Sequence, residues 1–260
     1  SRDDLVANLR GLGLLQDPLV ERAFRKVDER AFLPEGFAAL AYADMPLPVL
    51  GTRGGKTMPS PRCLSAALGL LEMGPEVTVL LAGARGGFPA ALVSQVTKPE
   101  AIVVAEPDDA LRTATAKRLQ AQGLGGVRVV AEAPPEPFDR ILVLDPHGPP
   151  LPTLTPLLGD PGTLIARGRG VHDLAFVKVV RRGGESVQMT FNEAPTRLAA
   201  GPRDTARGAS VDFGRLFAIE DLLVHAWEGR ITGHYDQHFQ DVADETFSGG
   251  PLDEFGGGTR

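Results

Sequence analysis

The stretch Val77-Thr78-Val79-Leu80-Leu81-Ala82-Gly83-Ala84-Arg85-Gly86-Gly87-Phe88 decides the fold of this chain. A short apolar run passes into a glycine-rich turn, and a helical pattern starts at Phe88. That order reads as a strand buried on both faces that feeds a crossover helix. With Val77–Ala82 as the first, comparable runs recur at Ala101–Glu106, Val127–Ala131, Arg140–Asp145 and Thr163–Arg167, and helical segments at about 88–97 and 108–122 lie between the first three of the five. Strands alternating with helices specify a parallel sheet covered on both faces. Residues 175–182 and 186–191, joined by Arg182-Gly183-Gly184-Glu185, predict an antiparallel hairpin that closes the sheet. The expected fold is α/β, a doubly wound and mostly parallel sheet.

Upstream, residues 3–12 and 17–27 read as short helices, the second capped by Asp17 with Pro18 in its first turn. The stretch from Phe32 to Pro61 is rich in proline and glycine and is expected to be irregular. Residues 61–73 give an apolar helix (Leu64, Ala67, Leu68, Leu71) that stops near Gly74-Pro75. Downstream of Pro195 a polar connector, Leu198–Ser210, precedes a helix at about 215–228 with Leu216, Ile219, Leu223 and Trp227 on one stripe. Three regions follow: a helical and loop region over 1–60, the sheet core over 61–195, and a small helical extension with a tail over 196–260.

The 260 residues are 43% hydrophobic and 23% charged, as in globular proteins. No apolar run approaches the ~18 residues of a spanning helix, so no membrane is expected. The first residues, Ser-Arg-Asp-Asp, do not read as a secretion signal, and the single Cys63 suits a cytoplasmic protein. The net charge of −6 is uneven: residues 211–260 hold 10 acids against 3 bases, and residues 1–210 hold 23 against 24. The acidic end also carries 7 of the 15 aromatic residues. Such an end argues against a nucleic-acid grip, which needs basic surface, and points to a protein partner bound through residues 211–260.

In a doubly wound sheet a ligand lies beyond the carboxyl ends of the strands, near the first strand-to-helix turn. Gly83 and Gly87 permit a tight turn and close approach of backbone to a ligand. Glu106 ends the second strand, where an acid accepts hydrogen bonds from ribose hydroxyls. Turn and acid together fit a nucleoside-containing cofactor; the plain alternative is a tight turn and a solvated acid. Asp145-Pro146-His147 reads as a strand-ending turn. His234 and His238, with Asp241 nearby, have a spacing that a helix turns into a metal corner, but surface histidines are the better reading, so no metal is expected. Cys63 reads as a small core residue.

Beyond these patterns, Ala41-Tyr42-Ala43-Asp44-Met45-Pro46-Leu47-Pro48 and Gly55-Lys56-Thr57-Met58-Pro59-Ser60-Pro61 resemble the N-terminal signature of protein-L-isoaspartate O-methyltransferases. Ala23–Val27 and Arg30-Ala31-Phe32-Leu33-Pro34 are similar to its upstream helix, Phe138–Val143 to its fourth strand, and Pro156–Leu164 to its entry into the fifth. The resemblance covers about residues 5–192. It implies a Rossmann-like fold and an enzyme that uses S-adenosylmethionine to esterify the carboxylate of isoaspartyl residues in damaged proteins. In such a reaction the protein mainly positions and desolvates, since the cofactor supplies the electrophile.

The functional positions depart from the family pattern. Its first turn carries an acid and then Gly-x-Gly-x-Gly; here Leu81 stands at the acid, Gly83 and Gly87 at the outer glycines and Arg85 at the middle one. Arg85 places a long cation where the family has no side chain, and a positive φ there is strained. The family's active-site serine falls on Pro59, with Ser60 one position late. Its Gly-Asp-Gly after the third strand becomes Ala131-Glu132-Ala133. The resemblance therefore implies two readings. In one, the chain is a non-catalytic or repurposed scaffold with an eroded cofactor site, binding a protein and possessing no cofactor. In the other, it is a working carboxyl methyltransferase. Ser60, Asp44 and Thr57 would then be catalytic, with Gly83, Arg85, Gly87, Glu106 and Glu132 holding S-adenosylmethionine.

Overall fold

The computed structural model describes residues 1–50, 56–143, 145, 148–167, 176–191 and Leu223. Helix α1 (Arg2–Gly11) opens on a capping box in which Ser1 and Asp4 satisfy each other's backbone N–H groups. Helix α2 (Pro18–Lys26) is capped by Asp17, whose carboxylate accepts the Leu19 N–H. The stretch expected to be irregular holds more order than its prolines suggest. It contains two 3-10 turns, Glu29–Phe32 and Glu35–Leu40. It also contains a two-residue antiparallel ladder, β1 (Leu47–Pro48) against β2 (Thr57–Met58). Helix α3 (Pro61–Leu71) follows with Ser60 as its N-cap and ends where Glu72 turns left-handed at φ 55°.

The sheet has seven strands in the order β5-β4-β3-β6-β7-β8-β9. These are β3 (Val79–Ala82), β4 (Ile102–Ala105), β5 (Arg128–Val130), β6 (Phe138–Val143), β7 (Leu158–Arg167), β8 (Phe176–Arg182) and β9 (Glu185–Phe191). The first five are parallel, and β8 and β9 form the expected antiparallel hairpin. The order runs outward from β3 in both directions, so the switch point lies between β3 and β6. Strand β7 starts five residues earlier than the sequence pattern suggests, because Leu158 already pairs with Phe138 before the register shifts.

Helix α4 (Phe88–Val93) is shorter than the expected 88–97. The Ser94 hydroxyl bonds back to the Ala91 carbonyl at 2.8 Å, and Thr97 turns its hydroxyl onto the Pro75 and Val77 carbonyls. Side-chain bonds of this kind compete with the helix ladder and end it. Helix α5 (Asp109–Ala121) and the short α6 (Leu151–Leu154) complete the layers.

Alternate residues of each strand enter two cores. Val79, Leu81, Ile102, Val104, Leu142 and Ile165 join α1 to α5 in the larger one. Leu80, Ala82, Val103, Ile141, Val143 and Leu164 join α6 in the smaller. Phe88, the first residue of α4, packs against Phe24 and Phe32 with centroids 6.3 and 5.9 Å away, which ties the glycine turn to the N-terminal elements. The turn itself is tightly enclosed. A Cβ on Gly86 (φ +81°) would stand 2.7 Å from Val49 Cγ1. Gly86→Ala is expected to lower the unfolding free energy by about 1–3 kcal/mol through overpacking at a left-handed residue, as read by urea denaturation.

The expected helix at 215–228, the connector, the acidic tail and the histidine pair lie outside the described residues, apart from Leu223. Leu223 packs against the larger core.

Candidate functional site

The carboxyl ends of β3, β4 and β6 converge on the turn Gly83–Gly87, and four charged side chains meet there. Glu106, fully buried, directs Oε2 at the Ala84 N–H (3.0 Å). Its Oε1 accepts from the Asp108 N–H at 3.1 Å and from Lys56 Nζ at 3.2 Å. Arg85 is 4% exposed and forms an ion pair with Asp145, while its Nη1 donates to the Thr57 carbonyl at 3.0 Å. Lys56 Nζ also stands 3.9 Å from Asp145 Oδ2. Two cations thus face two carboxylates, and the cluster is neutral as a whole. Burying Arg85, Glu106 and Asp145 is tolerable only because each is paired, and Lys56 joins them from a half-buried position.

Backbone conformation brings them together. Gly83 sits at φ +100° and donates its N–H to Ala105 O at 2.8 Å, which clamps the end of β3 to the end of β4. Arg85 itself is left-handed at φ 43°, the strained state foreseen for a side chain at a glycine position. Its guanidinium runs inward to Asp145 and Thr57, and its Nε is buried without a hydrogen-bond partner. Gly87 is also left-handed, at φ +95°, with Phe32 against it. Leu81 is buried in the larger core.

The other residues singled out by sequence lie in two further places. Asp44 (φ 54°) accepts from both the backbone N–H and Nε of Arg62, each at 2.8 Å; burial raises its pKa and Arg62 opposes the rise. Ser60 is buried at the start of α3, where its Oγ accepts the Cys63 N–H at 3.3 Å. Cys63 is buried, as expected of a core residue. Thr57 is buried in β2 and meets Arg85 through its carbonyl. Glu132 is exposed past β5 and makes no hydrogen bond or ion pair among the described residues. The structure therefore gathers Gly83, Arg85, Gly87, Glu106 and the Thr57 backbone, and leaves Glu132 outside. No cluster among the described residues has the make-up of a metal site, and no described helix is long and apolar enough to cross a membrane.

Two members of the cluster, and one buried acid outside it, were not assigned by sequence reasoning. Asp145 does end a strand, and its carbonyl accepts the Gly148 N–H at 2.9 Å in a turn, but its side chain belongs to the cluster. Its position on the strand beside β3 was the available signal. Lys56 gave none beyond its neighbours in the quoted motif. Glu29 gave none either. It is 1% exposed, accepts the Tyr42 N–H on Oε2 at 2.6 Å, and buries Oε1 without a hydrogen-bond partner. Burial pushes its pKa up to about 7; the Tyr42 N–H opposes this, and the charges of Asp44 and Asp28 add to it. Asp28 moves the other way, held low by the Arg30 guanidinium.

Comparison with known proteins places this architecture. The family model described as protein-L-isoaspartate(D-aspartate) O-methyltransferase matches residues 1–189. Protein-L-isoaspartate O-methyltransferase 1 of Rhodopseudomonas palustris is 34% identical over 58% of this chain and 62% of its own length. The Methanopyrus kandleri relative is 32% identical over 55% of this chain and 66% of its own length. The Methanoculleus marisnigri one is 33% identical over 67% and 79%. The chain thus spans just under two thirds of the first two relatives. A solved protein-L-isoaspartate O-methyltransferase superposes with a TM-score of 0.59 at 18% identity, over 73% of this chain and 63% of its own. A putative one from Plasmodium falciparum, in complex with S-adenosyl-L-homocysteine, does so with a TM-score of 0.58 at 15% identity, over 72% and 94%. At those identities the likeness is one of fold.

Proposed function

Because this chain belongs to the protein-L-isoaspartate O-methyltransferase family, we propose that it is a member whose cofactor site is closed by its own side chains and which serves by binding protein rather than by transferring methyl groups. One observation carries this reading: the Arg85 guanidinium turns inward at the carboxyl end of β3 and pairs with Asp145. The fit of S-adenosylmethionine to these residues is poor on three counts. Leu81 offers no carboxylate at the end of β3, and Arg85 sets a fixed cation where a sulfonium cofactor would bring another. Both Glu106 oxygens already accept hydrogen bonds, Oε1 from Lys56 and the Asp108 N–H and Oε2 from the Ala84 N–H. With about four acceptor sites on a carboxylate, one place on Oε2 remains for a ribose hydroxyl, and a second hydroxyl would have to displace Lys56 or a backbone N–H from a buried acid. The surface proposed for the protein partner is the acidic, aromatic segment 211–260.

The second reading, an active carboxyl methyltransferase acting on isoaspartyl residues, is favoured by the length of the family match. Transfer of labelled methyl from S-adenosylmethionine to an isoaspartyl peptide separates the two. Counts at the no-protein level are expected; saturable transfer that scales with protein concentration establishes the second reading instead. For the partner surface, removal of residues 211–260 is expected to abolish capture of the partner while the remainder still unfolds cooperatively.

A further inference from the structure

Strand β9 is the last of the sheet, and among the described residues its outer edge pairs with no other strand. Every residue from Glu185 to Thr190 is exposed. Val187 and Met189, 57% and 38% exposed, are the exposed large hydrophobic residues of the described chain. The register places Val187 beside Val180, Met189 beside Lys178 and Phe191 beside Phe176. These three apolar side chains therefore share the face on which Phe176 joins the larger core, and Ser186, Gln188 and Thr190 occupy the other. The β8–β9 register is unbroken. The strand Glu-Ser-Val-Gln-Met-Thr-Phe holds no proline and no lysine. Natural edge strands avoid pairing through prolines, lysines and bulges, and β9 uses none of them.

We propose that β9 pairs antiparallel with β9 of a second copy of this chain, about a two-fold axis at Gln188. A two-fold interface must be complementary to itself, and this strand is. About that axis Val187 lies opposite Met189 of the second copy, Ser186 opposite Thr190, and Glu185 opposite Phe191, with Gln188 opposite itself. The apolar pair meets twice on one face, which is the arrangement that stabilises neighbouring strands. Glu185 is the single charge of the strand and stands at its end, so no like charges face each other. A pair of seven-residue strands buries less than the ~1,200 Å² of a stable interface, so the dimer dissociates in the micromolar range.

Sedimentation equilibrium of the full chain, from low to high micromolar concentration, is expected to show a reversible monomer–dimer equilibrium. Two double variants at these exposed positions test the register. Val187→Lys with Met189→Lys sets like charges across both pairs and should weaken association at least about tenfold. Val187→Lys with Met189→Glu sets opposite charges across the same pairs and should keep association within about threefold of the parent. Circular dichroism checks that each variant is folded. A full chain that stays monomeric throughout, as when its own C-terminal residues shield β9, overturns the proposal. So does equal association of the two variants, which would place the contact elsewhere.

Discussion

Arg85→Met is expected to lower the unfolding free energy by about 3 kcal/mol, the low end of what breaking a buried ion pair costs. The loss comes from Asp145, which is 7% exposed and would keep its charge in a site built around the guanidinium. Lys56 at 3.9 Å supplies partial compensation, and for that reason the upper end of the range is not reached. If the pair is the cause, Arg85→Met combined with Asp145→Asn should regain at least half of the loss, because removing both charges removes the desolvation they impose. Urea denaturation of the parent, the single variant and the double variant measures the loss and its recovery. A single-variant loss below about 1 kcal/mol would mean that Arg85 behaves as a surface pair does and leaves the site open.

Stability should also fall as pH rises from about 4.5 to about 7, on account of Glu29. Its pKa lies near 4.5 when unfolded and is raised to about 7 in the fold. Between those values the folded protein holds a proton that the unfolded chain has released. The stabilising contribution is complete below pH 4.5 and is lost as pH passes through 7, with a span on the order of 3 kcal/mol. Asp28 acts in the opposite sense, since its lowered pKa contributes stability that disappears in acid. The two are separated by difference. Glu29→Gln is uncharged at every pH and should remove most of the decline between pH 4.5 and 7 while leaving the acid limb intact, any remainder coming from Asp44, whose pKa burial also raises. Parallel curves for the parent and the variant would show that Glu29 is ionised in the fold at neutral pH.

The sheet was legible because its strands are short apolar runs punctuated by glycines and by acids at their ends, and those features follow from burial on both faces. Helix ends were less so. The early stop of α4 depends on where the Ser94 and Thr97 hydroxyls find carbonyls, and Pro75 and Val77 reach that position only through the folded chain. At the site, Gly83, Arg85 and Glu106 were readable because they occupy the turn and strand end that the topology marks. Lys56 and Asp145 come from segments about 30 and 60 residues away from Arg85; Asp145 joins it only when β3 and β6 lie side by side, and Lys56 only when the segment entering β2 reaches Glu106. Glu132 lies apart from the cluster. Its place in the motif suggested a ligand contact, but it follows β5 at the sheet margin, where its side chain is exposed. The Phe32–Pro61 stretch was read as irregular because a two-residue ladder such as β1–β2 leaves no periodicity to detect.

Calorimetric titration of the full chain with S-adenosyl-L-homocysteine and with S-adenosylmethionine tests the proposed closure of the cofactor site. The Leu81→Glu, Arg85→Gly double variant, which restores the family's acid and glycine, is titrated alongside. No saturable heat is expected for the parent up to millimolar cofactor, and measurable binding is expected for the double variant. Micromolar binding of either cofactor by the parent would contradict the closure.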